Sequence, residues 1–484
     1  MTMKKYAFFV VILLNVLIPA QLGAQWTTAV LSQARHHAFP LVVGHKVLFI
    51  GGEAAGGVVS NVVDIYDDST GTWSVHFLNE GTQNLAGRNA SIAIGSKAIV
   101  SAGSISLYDA EKDLWTPIPG FNPRSYMSGG AVGQYAVLAG GSGPEGVSDA
   151  VDIYNTASDT WSAATLSEPR ILATVASIGN RLFIAGGIKA NNVKSDRVDI
   201  WDTETNTWTT ATLSYPRGMI TAVTVGDKVV FGGGSEFDYV WYNQVDVYDH
   251  TSGTWSSGAL QQYSFGGMLK GLAVNGKAYF GDGNDLPNSS NASNFLDVYD
   301  PATNAWAKVT LPAGHIGYNL ASRGPNLFVA GGINAPGNAR VDQYNTQTKT
   351  WQLVGYLGQP RYYMAAASVG KTVLFAGGLQ ISAGRTDRVD IYADPTWTDV
   401  ANAVQTTPLP VFPNPTPGVV TIQIPERPAQ LVVVDEVGRI YLEQFDLSAG
   451  ALDLDLSTWP KGVYVAQVLC AQGRYVAKIV RSGD

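Results

Sequence analysis

The stretch Val245-Asp-Val-Tyr-Asp-His-Thr-Ser-Gly-Thr-Trp255 decides the architecture, because it recurs. Tyr66, Tyr108, Tyr154, Trp201, Tyr248, Tyr299 and Tyr344 are each followed seven residues on by a tryptophan, at Trp73, Trp115, Trp161, Trp208, Trp255, Trp306 and Trp351. An eighth copy, Tyr392 to Trp397, is two residues shorter. The leading aromatics lie 42, 46, 47, 47, 51, 45 and 48 residues apart. A fixed pattern at a period of about 40–50 residues marks a repeat architecture.

Within the unit, Val245 and Val247 share one face of a strand, and Asp246 and Tyr248 share the other. Bulky groups on both faces imply that both are covered. The turn that follows places Gly71, Asn206, Gly253 and Asn304 two residues before the tryptophan, where a tight hairpin wants positive φ. The tryptophan then opens the next strand. Burying such a ring removes about 150–250 Å² from water, at most roughly 4–6 kcal/mol at about 25 cal/mol/Å².

From Trp26 to Trp397 each unit carries four apolar segments. In the fourth these are Arg170–Ile178, Arg181–Gly187, Val198–Asp202 and Thr207–Ala211, separated by turn residues. Four short strands at hairpin spacing form one antiparallel sheet. Such sheets bury both faces by stacking around an axis, as in a propeller.

The repeat resembles kelch. That unit has an arginine opening its first strand, a Gly-Gly ending its second, and a Tyr and Trp on the third and fourth. Here the arginines are Arg35, Arg88, Arg124, Arg170, Arg217 and Arg361. The glycine pairs are Gly51-Gly52, Gly140-Gly141, Gly186-Gly187, Gly232-Gly233, Gly331-Gly332 and Gly377-Gly378. Unit two keeps only Gly103, and unit six reads Gly281-Asp282-Gly283. Units six and seven lack the arginine, with Tyr263 and His315 near its place. The resemblance implies an all-β kelch-type propeller over residues 25–397. Eight blades are expected, with Trp26–Leu31 completing the last; the short second unit leaves seven open.

The 484 residues are 45% hydrophobic and only 14% charged, with 53 glycines. That balance suits a turn-rich β protein. A net charge of −8 argues against a dedicated nucleic-acid binder. The single cysteine, Cys470, rules out an internal disulfide. At the start, Lys4 and Lys5 precede the apolar run 6–18 and the small-residue end Leu22-Gly23-Ala24. This reads as a signal peptide over residues 1–24, and no later stretch is long and apolar enough to span a membrane.

After a linker at 398–407, residues 408–484 read as a small Ig-like β-sandwich of five to seven strands. Pro413, Asn414, Pro415 and Gly418 stand near its start, Gly438-Arg439 forms a turn, Gly462 and Tyr464 mark a strand, and Lys478 lies in the last strand. The segment resembles the C-terminal sorting domain of the type IX secretion system of Bacteroidota. That resemblance implies the secretion machinery as a partner and the cell surface or medium as destination.

Chemistry is harder to find. The six histidines show no metal-ligand spacing. Gly141-Ser-Gly-Pro-Glu-Gly146 matches a dinucleotide fingerprint by letter, but no helix follows it. Resemblance to galactose oxidase, a kelch enzyme, would require a cysteine bonded to a tyrosine in the propeller, and Cys470 is outside it. No catalytic residue, cofactor or metal is assigned.

A binding surface remains. The arginine ends and glycine ends of the strands share one mouth, where kelch propellers bind partners. Candidate ligand-binding residues are the six arginines with His36 and His315, the tyrosines Tyr126, Tyr318, Tyr362 and Tyr363, and the loop residues Phe237, Tyr239, Trp241 and Tyr242. The arginines have an alternative use. Asp64, Asp152, Asp199, Asp246, Asp297, Asp342 and Asp390 recur with the same period, and pairing of the arginines with them or with backbone carbonyls is the reading that the shared period favours over a ligand role. The expected function is binding of an extracellular glycan or protein; the alternative is a carbohydrate-active, epimerase- or mutarotase-like enzyme using the same mouth.

Overall fold

Both faces of the Val245–Tyr248 strand are answered by neighbours. All four residues are buried. Val245 and Val247 pack with Leu260, Phe280 and Tyr299 of the following unit. Tyr248 packs with Phe183, Ala185 and Val198 of the preceding one. The strand Gln244–Asp249 pairs with Thr254–Ala259 so that Tyr248 lies opposite Trp255, their ring centroids 5.2 Å apart.

This unit is one of eight four-stranded antiparallel sheets among the described residues. The computed structural model describes residues 25–78, 90–101, 105–118, 124–235, 241–263, 269–281, 294–312, 317–332, 339–380, 383–394, 406–425, 429–435, 440–470 and 473–482. Blades 1 to 8 begin with the inner strands Phe39–Val43, Ile92–Ile94, Ser128–Val132, Thr174–Ile178, Thr221–Val225, Lys270–Val274, Asn319–Arg323 and Ala365–Val369. Each inner strand touches the next, and the eighth touches the first, so the ring is closed. The apolar core is correspondingly divided. Eight clusters each straddle two adjacent blades.

The eighth blade takes its outer strand from the start of the chain. Gln25–Val30 pairs antiparallel with Arg388–Ala393. Trp26 therefore stands opposite Tyr392, with ring centroids 5.1 Å apart, and its indole N–H donates to Val354 O of blade 7 at 3.0 Å. The eighth Tyr–Trp pair is thus Tyr392 with Trp26. Trp397, the partner expected from spacing, lies outside the described residues.

The hairpins between third and fourth strands need positive φ two residues before the tryptophan. Gly71, Asn206, Gly253 and Asn304 all adopt it, with φ of 68°, 51°, 69° and 54°. Asp113, Asp159 and Lys349 do so in blades 2, 3 and 7, at 50°, 53° and 58°. The aspartates gain a compensation: Tyr108 and Tyr154 each donate their phenol O–H to them, at 2.6 and 2.5 Å.

The glycine pairs join one blade to the next. Gly141, Gly187, Gly332 and Gly378 donate their N–H to the carbonyls of Arg170, Arg217, Arg361 and Arg35 in the following blade, at 2.9–3.1 Å. The first glycine of each pair must let that carbonyl approach. A Cβ on Gly186 or Gly377 would lie 2.4 Å from the Arg217 or Arg35 oxygen, and both have φ of +63°. In blade 5 the left-handed pair is Gly233-Gly234, one residue later than spacing suggested, with Gly232 still in the strand.

The C-terminal segment folds around its own core of Val420, Ile422, Leu431, Val433, Leu456, Val468 and Ile479. One sheet has five strands and the other three, which is more than the five to seven expected. The extra strand is Thr406–Pro408, which runs parallel to Gly473–Arg481 and lies where a linker was expected.

The glycine geometry yields a paired test. Gly377→Ala should destabilise the propeller by about 3 kcal/mol, through a left-handed alanine and a clash with the Arg35 carbonyl. Gly258→Ala, whose Cβ would enter open space, should change stability by less than about 0.5 kcal/mol. Urea unfolding of the two variants checks both.

Candidate functional site

The arginines expected at the mouth are turned into the blades. Arg35, Arg170, Arg217 and Arg361 are fully buried and pair with Asp64, Asp199, Asp246 and Asp390 at 2.6, 2.5, 2.8 and 2.6 Å. Each also donates to a second-strand carbonyl fourteen residues on, at Phe49, Ile184, Phe231 and Phe375. The other carboxylate oxygen accepts the N–H of Ser32, Ser167 or Ser214 at 2.9–3.0 Å in the first three pairs, and Gly358 takes that place in the last. Each pair thus ties the entry of the first strand to the second and third. Burial draws the Arg35, Arg217 and Arg361 guanidinium groups below their ordinary value, against the pull of the facing aspartates.

These four side chains therefore do not form an open cationic ring, because desolvated guanidinium needs its carboxylate. Arg124 is more accessible, yet it too holds Asp152 at 2.7 Å. Arg88, Tyr239, Phe237 and His315 lie outside the described residues.

Blades 6 and 7 solve the missing arginine differently. In blade 6 the substitute is Gln262 rather than Tyr263. Its side-chain amide donates to Phe280 O at 2.9 Å and to Asp297 at 3.1 Å. Without a guanidinium in that place, burial raises the Asp297 carboxyl above the usual range. In blade 7, Asp342 is held by Arg340, two residues before it on the same strand, at 2.5 and 2.8 Å.

What the mouth does present is set by the residue two places after each arginine. His37, Tyr126, Leu172, Met219 and Tyr363 all have φ between 51° and 58°, and Gly317 has 66°. Non-glycine residues sit there only when their surroundings impose it. The reason is a belt of backbone hydrogen bonds between blades. Leu172 N–H donates to Tyr126 O, Met219 to Leu172, His37 to Tyr363 and Tyr363 to Gly317, at 3.1–3.4 Å.

The belt has two unlike arcs. Over blades 3 to 5, Leu172 and Met219 open onto a cavity of about 730 Å³ with Met127, Val175, Ile220 and Phe39. The hydroxyls of its wall are engaged by the next blade: Ser128 donates to Ala173 O at 2.7 Å and Thr221 to Leu269 O at 2.6 Å. No carboxylate or imidazole is among the described lining residues.

Over blades 8 and 1 the arc is aromatic and charged. His37 stacks on Tyr363 at 4.5 Å, Tyr363 meets Tyr362 edge-on at 4.7 Å, and His36 faces His37 with their Nδ1 atoms 2.7 Å apart. Glu53 approaches His36 Nε2 at 3.5 Å and pairs with Arg385. Burial is the main reason that the His36 imidazole sits below its ordinary range.

His36, Tyr362 and Tyr363 are therefore brought together, and Tyr126 lies in the same belt. Tyr318 is fully buried, and its hydroxyl lies 2.3 Å from where a Cβ on Gly281 would be; it takes no part in the surface. Trp241 is half-buried, and Tyr242 is buried against Tyr215 at 5.3 Å, with Tyr215 the exposed ring among the described residues there. Spacing did not single out His37, Glu53, Arg385 or Gln262. The His36-His37 doublet directly after Arg35 was the one available sign.

In the C-terminal unit, Asn414 acts as a clamp on the last strand. It donates to Lys478 O at 2.5 Å and accepts from Val480 N–H at 2.8 Å. Tyr464 is buried and donates to Pro460 O at 2.7 Å, Gly418 O accepts from Leu456 N–H, and Lys478 is exposed. Gly462 opens its strand. Pro413 and Pro415 flank the clamp, while Gly438 and Arg439 lie outside the described residues.

Two family models match. The KLHDC2/KLHL20/DRC7 Kelch-repeats domain matches residues 128–318, and the secretion system C-terminal sorting domain matches 410–482. The chain is similar to Kelch-like protein 21 of Bos taurus, 29% identical over 138 residues, covering 27% of this chain and 21% of that protein. It is similar to the Homo sapiens protein of the same name at 30% over 100 residues, covering 19% and 17%. The chain thus spans about a fifth of the length of these relatives.

Two substitutions test the buried pairs. Arg217→Leu, which strands Asp246, should cost about 3–5 kcal/mol, and adding Asp246→Leu should restore part of the loss; a double-mutant cycle in urea reads this. Gln262→Arg should stabilise blade 6. Because the Asp297 carboxyl is raised on folding, its contribution is fully present below its unfolded value and is lost as pH rises through the folded one. Stability curves between pH 3 and 8 should show that loss in the parent protein and a smaller one in the arginine variant.

Proposed function

We propose that this kelch-repeat propeller with a type IX sorting domain is an exported binding protein. Its partner would be an extracellular protein, gripped by the mouth face over blades 7, 8 and 1. One observation carries the reading. At a single register position, opposite the first residue of each third strand, these three blades carry Tyr356, Val30 and Phe77, exposed by 60%, 64% and 64%. Blades 3 to 6 carry Thr165, Thr212, Ala259 and Thr310 at that place.

The register puts the three large side chains at the end of the blade where the glycine pairs lie. Val62, Arg388 and Arg340, their partners, accept from Gly51, Gly377 and Gly331. The apolar arc therefore flanks the His37–Tyr363 arc on one face. Aromatic and apolar groups reaching water together with a charged rim suit a protein patch. Val58, exposed in the rim loop of blade 1, extends it.

For export, residues 1–24 would serve as a cleaved signal, and the C-terminal domain would engage the type IX machinery and direct the propeller to the cell surface or medium. Pro413, Asn414, Pro415, Gly418, Gly438, Arg439, Gly462, Tyr464 and Lys478 would carry that signal. Catalysis on a sugar has one observation in its favour, the imidazole pair against Glu53. Glycan recognition would use Tyr362 and Tyr363 as platforms.

A photo-crosslinking residue placed at Tyr356 or Phe77 should capture a discrete protein on producing cells, and one at Thr212 should not. Equal capture from all three positions would overturn the assignment. A sugar retained or converted by the propeller, and lost in Tyr363→Ala, would replace it with a glycan reading.

A further inference from the structure

The ring closes between blades 8 and 1, and blade 1 carries at this seam a side-chain contact that the other described seams do not have. At the two positions after the arginine, blade 1 has His36 and His37. Blades 3, 4, 5 and 8 have Ser125-Tyr126, Ile171-Leu172, Gly218-Met219 and Tyr362-Tyr363. His36 Nδ1 and His37 Nδ1 stand 2.7 Å apart. Both are ring nitrogens, so the contact is bonding only when one proton lies between them.

The described charged and aromatic groups against the pair come from the two blades that meet there. His36 Nε2 faces Glu53 Oε1 at 3.5 Å. Glu53 is also held by Arg385 from blade 8, which donates to the Glu53 backbone carbonyl at 3.2 Å. The His37 ring lies against Tyr363, with Tyr362 beyond it. Two backbone bonds cross the same seam: His37 N–H to Tyr363 O at 3.1 Å, and Gly378 N–H to Arg35 O at 2.9 Å.

The carboxylate of Glu53 favours a proton on His36 Nε2. That leaves His36 Nδ1 as acceptor and His37 Nδ1–H as donor. One further proton fits on His37 Nε2, and the bond then becomes charge-assisted. The next proton has no such place. On His36 Nδ1 it would set two N–H groups face to face at 2.7 Å, in a half-enclosed site beside Arg385.

We propose that the His36–His37 pair is a proton-operated catch on the closing seam, shut while at most one of the two rings is charged and released when both are. It rests on the reading above, in which this seam forms part of the partner-binding face, and it makes partner release a response to acid. Burial keeps His36 below its ordinary value of 6.5. Its contribution to stability is therefore complete above that value and is lost as pH falls through it toward the folded-state pKa.

Hydrogen exchange of the full chain, without partner, tests the catch separately from binding. The seam amides His37 and Gly378 have structural equivalents at the blade 4/5 seam, Met219 and Gly187, which make the same bonds at 3.2 and 3.0 Å. After correction for intrinsic rates, all four should be equally protected at pH 7.5. At pH 5 the closing-seam pair should exchange at least tenfold faster, and the reference pair should not change. His37→Asn keeps a residue that tolerates the left-handed backbone and should abolish the acid response. Seam amides that follow the reference amides at both pH values would overturn the catch, as would an undiminished response in the asparagine variant. If that variant loses protection everywhere, the parent protein decides. A nitrogen–nitrogen coupling across the two Nδ1 atoms should be present at pH 7.5 and absent at pH 5, and its survival at pH 5 would overturn the proposal. Loss of the catch with capture at Tyr356 intact would leave the binding reading standing.

Discussion

The arginine–aspartate pair is the constraint on which blades 1, 3, 4, 5 and 8 depend. A guanidinium removed from water is tolerable only with a carboxylate and carbonyls around it. Arg217 meets this need with Asp246, Phe231 O, Gly233 O and Tyr215 O. Those four acceptors come from the second and third strands and from the entry to the first. Satisfying one side chain therefore fixes the relative position of three strands at the mouth end. The backbone carbonyl of the same arginine is then presented to the glycine pair of the preceding blade, so one residue orders its own sheet and couples it to the neighbour.

At the far end of each sheet the Tyr–Trp pair performs the complementary task. Its two rings face each other across the third and fourth strands, with centroids 4.7–5.9 Å apart in all eight blades, Trp201 standing for the tyrosine in blade 4. The residue three places after the tryptophan often joins the same core cluster as the tryptophan of the next blade, as Ala164 does with Trp208 and Val309 with Trp351. In blade 1 that residue is His76, which lies flat on Trp115 at 4.1 Å and is held below its usual range by burial. In blade 5 it is Gly258, beside which there is open space. The repeat thus varies at its margins, and blades 6 and 7 keep the aspartate of its polar hub while changing the group that holds it.

Most of the architecture was legible because repetition makes a pattern visible eight times. The two-faced strand at Val245–Tyr248, the hairpin positions at Asn206 and Asn304, and the kelch and sorting-domain signatures all survive in the structure and the comparisons. What spacing could not reveal is where insertions displace a pattern. Gln262 stands 35 residues before Asp297, whereas Arg217 stands 29 before Asp246, so the interval that holds in other blades does not point to Gln262. The arginines were legible as a repeated feature, but a count cannot say whether a side chain points to solvent or to a carboxylate. The seam cluster was hidden for a third reason. Glu53 and Arg385 lie 332 residues apart in the chain, and only closure brings them together.

The outer strand of blade 8 gives the ring a temporal order. Trp26 bonds to Val354 across 328 residues, so this strand of the propeller has no partner until almost all the rest of the propeller has followed it from a ribosome or a translocation pore. Contacts of such long range slow folding, and an unpaired edge strand is prone to mispairing. During that wait the amino-terminal strand behaves as a loose end. A cell that moves this chain across membranes must keep that end unengaged, or let the seven other blades assemble and hold its place open.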